Sequence, residues 1–167
     1  MKNYKFCPYC GSKSIKHLEY FECESCRKKV FMNSLPSVSA FLIRNGKYAL
    51  CKRAIEPQKG KYDFIGGFVK SGEKPEQGLH REIKEETGLK VKIISLLGIY
   101  FDKYEYQGDI LDIINFVYIT EIVSGNITPK DDAAAIDWFN FDKIPDNLGF
   151  NSIKDAVKDL QKWKKIH

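Results

Sequence analysis

Three carboxylates stand within five residues of one another in the run Arg81-Glu82-Ile83-Lys84-Glu85-Glu86. On a helix turning by about 100° per residue, Glu82, Glu85 and Glu86 fall on one sector of roughly 100° of arc. Leu79, Ile83 and Thr87 make the neighbouring stripe, the natural core face, so Glu86 lies at the edge between core and acid. Carboxylates crowded there repel one another and lose hydration. A hard divalent cation bound through oxygen relieves both, and Mg2+ or Mn2+ suits such a site. A solvated charged helix would carry the same run, so the flanking residues decide. Gly66-Gly67 permits a tight turn, Ser71-Gly72 a second, and Pro75 suits a first helical turn. Glu73 sits in that loop, placed to face the same cleft, and Gly88 stops the helix.

A second constellation is built from sulfur. Cys7 and Cys10, then Cys23 and Cys26, form two CxxC pairs with twelve residues between them. Two such turns can place four thiolates around one ion, which suits Zn2+. Disulfides and a redox pair are the alternatives, but nothing here points to secretion and a redox pair needs no matched partner. Residues 1–34 are therefore expected to form a zinc ribbon whose metal dominates its stability and has no open position for catalysis. Cys51, the fifth cysteine, reads as a buried core thiol.

The elements that must position these groups follow in order. Residues 37–44 read as an apolar strand, Asn45-Gly46 as a hairpin turn and 47–52 as its return. A polar loop, Arg53 to Tyr62, leads into Asp63-Phe64-Ile65. Beyond the acidic helix, 90–101 reads as a long strand, 102–109 as a polar and aromatic loop, and 110–120 as another apolar strand. The stretch 133–142 is strand-like. Ile153, Ala156, Val157, Leu160 and Trp163 recur at helical spacing. Trp138 and Trp163 read as core packing.

Gly67, five residues, Glu73, seven residues, Arg81-Glu82-Ile83, one residue, Glu85-Glu86, one residue, Gly88-Leu89: this resembles a complete Nudix box. The resemblance covers residues 37 to about 165. It implies an α/β (α+β) fold, a Nudix α/β/α sandwich with a mixed sheet over 35–167. It also implies metal-dependent hydrolysis of a nucleoside diphosphate linked to another group. On the same resemblance, Glu82 and Glu86 are the main Mg2+ or Mn2+ ligands and Glu85 a third. The carbonyl of Gly66 or Gly67 adds a ligand. Glu73 is a ligand or the base that orients water, and Arg81 holds Glu73 or Glu85 by an ion pair. Asp132 is the acid recruited from a later loop, ahead of Asp131 and Glu105.

The Arg-Ala-Ile-Glu-Pro stretch from Arg53 is similar to that of Nudix proteins carrying a zinc ribbon, several of them ADP-ribose or dinucleotide pyrophosphatases. Arg53 and Lys61 are then candidates to meet phosphate, and Phe68, Tyr104 and Tyr106 to stack on a base. The SQPWPFPxS-like motif of NADH pyrophosphatases is absent, as is the proline some fifteen residues past the box that marks many ADP-ribose enzymes. The expected reaction releases AMP from ADP-ribose or an adenine dinucleotide such as FAD or NADH. An RNA-binding decapping protein that uses the ribbon, and a non-catalytic nucleotide sensor, are the rivals.

The chain has 167 residues, room for one ordinary domain with a small appendage. A net charge of +5 favours anionic ligands without indicating nucleic acid, and residues 1–31 show no dense basic stripe with interleaved aromatics. No apolar run approaches a membrane span and the first residues lack a signal peptide's apolar stretch. A cytoplasmic homodimer acting on a small nucleotide-diphosphate substrate is expected, with neither nucleic acid nor membrane as partner.

Overall fold

The computed structural model describes residues 5–13, 15–17, 20–127, 133–143 and 145–166. Near the N-terminus β1 (Ile15–His17), β2 (Tyr20–Cys23) and β3 (Lys29–Phe31) form a small antiparallel sheet. A second sheet follows, of β4 (Leu35–Arg44), β5 (Lys47–Arg53), β6 (Tyr62–Asp63), β7 (Ile65–Phe68), β8 (Lys90–Tyr106), β9 (Asp109–Ser124) and β10 (Ala133–Asn140). Helix α1 (Pro75–Thr87) lies between β7 and β8, and α2 (Asn151–Ile166) ends the chain. The strands run in the order β10-β5-β4-β9-β8, with β6 beside β5 and β7 beside β4. Strand β4 runs parallel to β9 and antiparallel to β5 and β7, so the sheet is mixed.

Alternation along the central strands makes two cores, because successive side chains leave opposite faces. Val38, Ala40 and Leu42 pack with Leu79 and Ile83 of α1, whereas Phe41 packs with Ile153, Ala156, Val157 and Leu160 of α2. In the same way Ala49 and Cys51 of β5 face the α1 side, and Tyr48 and Leu50 the α2 side. The expected α/β/α sandwich results. Thr87 joins Leu79 and Ile83 on the buried face of α1. The helix starts at Pro75, where Gln77 Oε1 accepts the Lys74 amide at 2.9 Å, and stops at Gly88 in a left-handed conformation, φ 75°. Cys51 is buried and donates to the Phe64 carbonyl at 2.8 Å. Burial pushes its thiol well above the ordinary range, as befits a core cysteine. Trp138 and Trp163 pack against the two cores.

One element differs from expectation. Residues 102–109 are not a loop: β8 runs unbroken to Tyr106, and Gln107-Gly108 turns the chain into β9 with φ 52° and 81°. Both positive values fit a two-residue hairpin turn. The charges disguised the strand, since Asp102 and Tyr104 are half-buried while Lys103 and Glu105 face solvent, a period of two. Helix α2 also begins two residues before Ile153 and continues past Trp163.

Candidate active site

The loop before α1 is fastened to the helix through Arg81. Its Nε and Nη2 donate to Glu73 Oε1 and Oε2, each at 2.8 Å, a two-pronged pair. Nη1 bonds Glu82 Oε1 and, at 3.2 Å, Glu85 Oε2, while Nη2 also reaches the Phe68 carbonyl at 3.1 Å. Glu73 Oε2 further accepts the Lys70 amide at 2.9 Å. The Arg81 hydrogen bonds hold the Glu73 carboxyl far below its usual range, at about 2, and raise the Arg81 guanidinium further still. A side chain at position 78 would meet Glu73 Oε2 at 3.0 Å, which accounts for Gly78 inside a helix. Glu73 does not line the cavity and has both oxygens occupied. In this arrangement Glu73 fixes Arg81, the ion pair expected of that arginine.

Glu86 reaches back to β7, where its Oε2 accepts the Gly66 amide at 3.0 Å. A Cβ on Gly67 would stand 2.7 Å from Glu82 Cδ, so the missing side chain makes the space for that carboxylate. Glu82, Glu85, Glu86, Gly66 and Gly67 line one side of a cavity of about 440 Å³. This donor set is all oxygen, and Arg81 is the one guanidinium set against Glu73, Glu82 and Glu85 together. Residual negative charge at such a place suits a hard divalent cation. Among the described residues these carboxylates do not converge on a single point; Arg81 draws Glu82 and Glu85, and Gly66 draws Glu86.

The rest of the cavity lining is aromatic and polar, with Arg53, Asp63 and Asp102 among its side chains. Tyr104 stacks on Phe150 with centroids 5.8 Å apart and meets Phe68 edge-on at 6.3 Å. Arg53, at the end of β5 rather than in a loop, lies beneath Tyr104 and Phe150, 5.8 and 5.3 Å from their centroids. Its donors go to Asp63 Oδ2 (2.8 Å), the Pro57 carbonyl (2.7 Å) and the Tyr104 hydroxyl (3.3 Å). Arg53 thus supports the wall while itself lining the cavity. Burial pushes the Asp63 carboxyl up against the opposing pull of Arg53. Lys61 does not line the cavity, though its carbonyl accepts the Arg53 amide. Tyr106 does not line it either and stacks outside Tyr104 at 6.5 Å. Glu105 points to solvent, and Asp131 and Asp132 lie outside the described residues. Sequence reasoning missed Lys70, Phe150 and the strand residues Ser37, Ser39 and Asn115, all of which line the cavity. An asparagine amid the apolar run Asp-Ile-Ile-Asn-Phe-Val was the available signal.

At the N-terminal sheet the four cysteine sulfurs lie within 4.8 Å of one another. Cys7 and Cys26 Sγ are 3.7 Å apart, Cys10 and Cys23 Sγ 3.6 Å. A tetrahedron with metal–sulfur bonds of about 2.3 Å has edges of about 3.8 Å, whereas a disulfide needs about 2.05 Å. The set fits one four-thiolate ion. The Cys26 amide donates to Cys23 Sγ at 3.5 Å and lowers that thiol to about 6, while at Cys10 a backbone bond from Ser12 pulls the thiol down but the neighbouring sulfurs push it up to about 12, a crowding of thiols that one cation would relieve.

An acid-lined cleft at the end of a strand–loop–helix unit, on a mixed sheet flanked by two helices, is an arrangement able to hold a divalent cation against a phosphate. The family model for the NUDIX domain matches residues 33–160, and the chain belongs to the Nudix family as a pyrophosphohydrolase. An ADP-ribose pyrophosphatase of Methanocaldococcus jannaschii is 34% identical over 137 residues, covering 81% of this chain and 78% of that one. A NAD-capped RNA hydrolase NudC of Pseudomonas aeruginosa is 28% identical over 159 residues, which is 93% of this chain and 55% of the relative. The chain thus spans about half the length of that relative. Among solved structures, a Nudix hydrolase from Nitrosomonas europaea matches with a TM-score of 0.78 at 23% identity, covering 97% of this chain and 91% of the other, a likeness of fold.

Proposed function

We propose that this enzyme cleaves the diphosphate of ADP-ribose or of an adenine dinucleotide such as FAD or NADH, releasing AMP. The observation that carries this reading is the acid side of the cavity, where Gly67 leaves room for Glu82 opposite an aromatic wall. Glu82 and Glu86 would hold Mg2+ or Mn2+, with Glu85 and a carbonyl of Gly66 or Gly67 as further donors. Bound there, the cation neutralises the diphosphate and acidifies the attacking water. Arg81 restrains Glu82 and Glu85 until then. Proton removal from the water falls to a carboxylate of this set other than Glu73, whose oxygens are already bonded. Tyr104, Phe150 and Phe68 exclude water from the far side and stack on a ring. The relative from M. jannaschii supports ADP-ribose.

The cysteine set is proposed to hold structural Zn2+ in a unit spanning residues 1–34, ahead of the hydrolase domain at 35–167. Free thiolates in place of disulfides suit a cytoplasmic setting. Among the described residues no helix is long and apolar enough to cross a membrane. The expectation that nucleic acid is no partner finds no support in relatives named NAD-capped RNA hydrolases. In the N-terminal unit Lys13 lies over Phe6 and Lys28 over Tyr9, two cation–ring pairs rather than a dense basic stripe. The proposed assembly is a homodimer.

The test is a panel of ADP-ribose, NADH, FAD, diadenosine polyphosphates, nucleoside triphosphates and NAD-capped RNA, with Mg2+ or Mn2+ and products identified. AMP from ADP-ribose or a dinucleotide is expected. Pyrophosphate from a triphosphate as the sole activity would overturn the reading.

A further inference from the structure

The floor of the cavity holds polar groups that the proposed hydrolysis does not use. Ser37 and Asn115 face each other in register across the parallel β4–β9 pair, and Ser39 lies two residues further along β4. All three line the cavity, yet they are only 9%, 7% and 5% exposed for Ser37, Asn115 and Ser39 respectively. Ser39 Oγ donates to Asn115 Oδ1 at 3.0 Å, which fixes the amide's orientation. Among the described residues neither Asn115 Nδ2 nor Ser37 Oγ has a hydrogen-bond partner. Both atoms are open to the cavity, since among the described residues the one sealed polar side-chain atom without a partner is Ser95 Oγ, so a ligand entering the cavity can bond to them. Their neighbours on the α2 face of the same sheet, Val117 and Phe41, are buried and apolar, so packing alone would have placed hydrophobic residues here.

Their position relative to the acids suggests what they meet. Gly66 pairs with Ser39 and Phe68 with Ser37 across β7–β4, and Asn115 lies one strand beyond. Two strand spacings amount to about 10 Å. That is the reach from a diphosphate held at β7, across a ribose, to the edge of its base. The aromatic wall of Tyr104 and Phe150 borders the same end. With Asn115 Oδ1 turned toward Ser39, the Nδ2 donor beside a hydroxyl that can accept is complementary to an edge with a ring nitrogen next to an amino group. Adenine carries such an edge.

From these positions we infer that Ser37 and Asn115 form the base-reading subsite of the enzyme, with Asn115 Nδ2 donating to a ring nitrogen of adenine and Ser37 Oγ accepting from its 6-amino group. This rests on the cleft taking a nucleoside diphosphate derivative, but its test needs neither phosphate nor cation. Adenosine and purine riboside, which lacks the 6-amino group, are titrated into metal-free wild-type protein, Ser37→Ala and Asn115→Leu, with binding read by ligand-observed NMR. Wild type should prefer adenosine by about fivefold, the worth of one hydrogen bond. Ser37→Ala should erase that preference. Asn115→Leu should weaken both ligands by about tenfold. Equal affinity of wild type for the two nucleosides, or unchanged affinity in both variants, would overturn the subsite. Thermal melting shows whether each variant is folded; if Asn115→Leu is not, the Ser37→Ala comparison decides alone. Should adenosine behave as described while ADP-ribose is not hydrolysed, the proposed reaction fails and the subsite stands.

Discussion

Arg81 binds Glu73 with two prongs and touches Glu82 and Glu85 with a third nitrogen, so one side chain sets the resting position of every acid in the cluster but Glu86. The Glu73 carboxyl is held down at about 2 against an ordinary 4.5. Its pairing therefore stabilises the fold fully above pH 4.5, and that contribution fades as the pH falls toward 2. In metal-free protein, Glu73→Gln should melt below wild type at neutral pH, and the gap should close as acid is added; a gap constant down to pH 2 would contradict the pairing. Glu86→Gln should leave melting nearly unchanged while lowering kcat by about a hundredfold or more in a Mg2+ assay. These acids were legible in the sequence because chemistry demanded them at fixed offsets. The partner of Asn115 was not: the amide stands out in an apolar run, but pairing between residues 76 positions apart, as Ser39 and Asn115 are, leaves no local trace.

Strand β7 holds two glycines with different work. A Cβ on Gly66 would strike the Val38 carbonyl at 2.1 Å, and φ there is 154°, so Gly66→Ala should cost about 3 kcal/mol or more and lower expression and melting temperature. On Gly67 the obstacle is the end of Glu82, a side chain that can move. Gly67→Ala should thus fold normally yet lose most turnover, a contrast that melting curves and a Mg2+ assay would read together. The limits of α1 were legible from Pro75 and Gly88, which act on their own backbone. The β8–β9 hairpin was not, because charged residues on its solvent face mask an alternation that the partner strand completes.

At the scale of the molecule, the N-terminal sheet shares no strand pairing with the larger one among the described residues. Stripping the cysteine site with a thiol-directed chelator, then restoring excess Mg2+, should release about one Zn2+ per chain and melt that sheet, with most hydrolysis retained. Loss of hydrolysis in step with zinc release would instead make the small sheet part of the cleft. The edge strand β8 exposes Ile94, Leu96, Ile99 and Phe101, an unpaired apolar border of the sort that seeks a partner. Light scattering should find a dimer for the wild type, and Ile99→Lys should shift it toward monomer. Tyr104 sits two residues from the tip of the β8–β9 hairpin, while the acids ride on a separate helix. Tailoring that fingertip can therefore retune which molecule is gripped without disturbing the blade that cuts it.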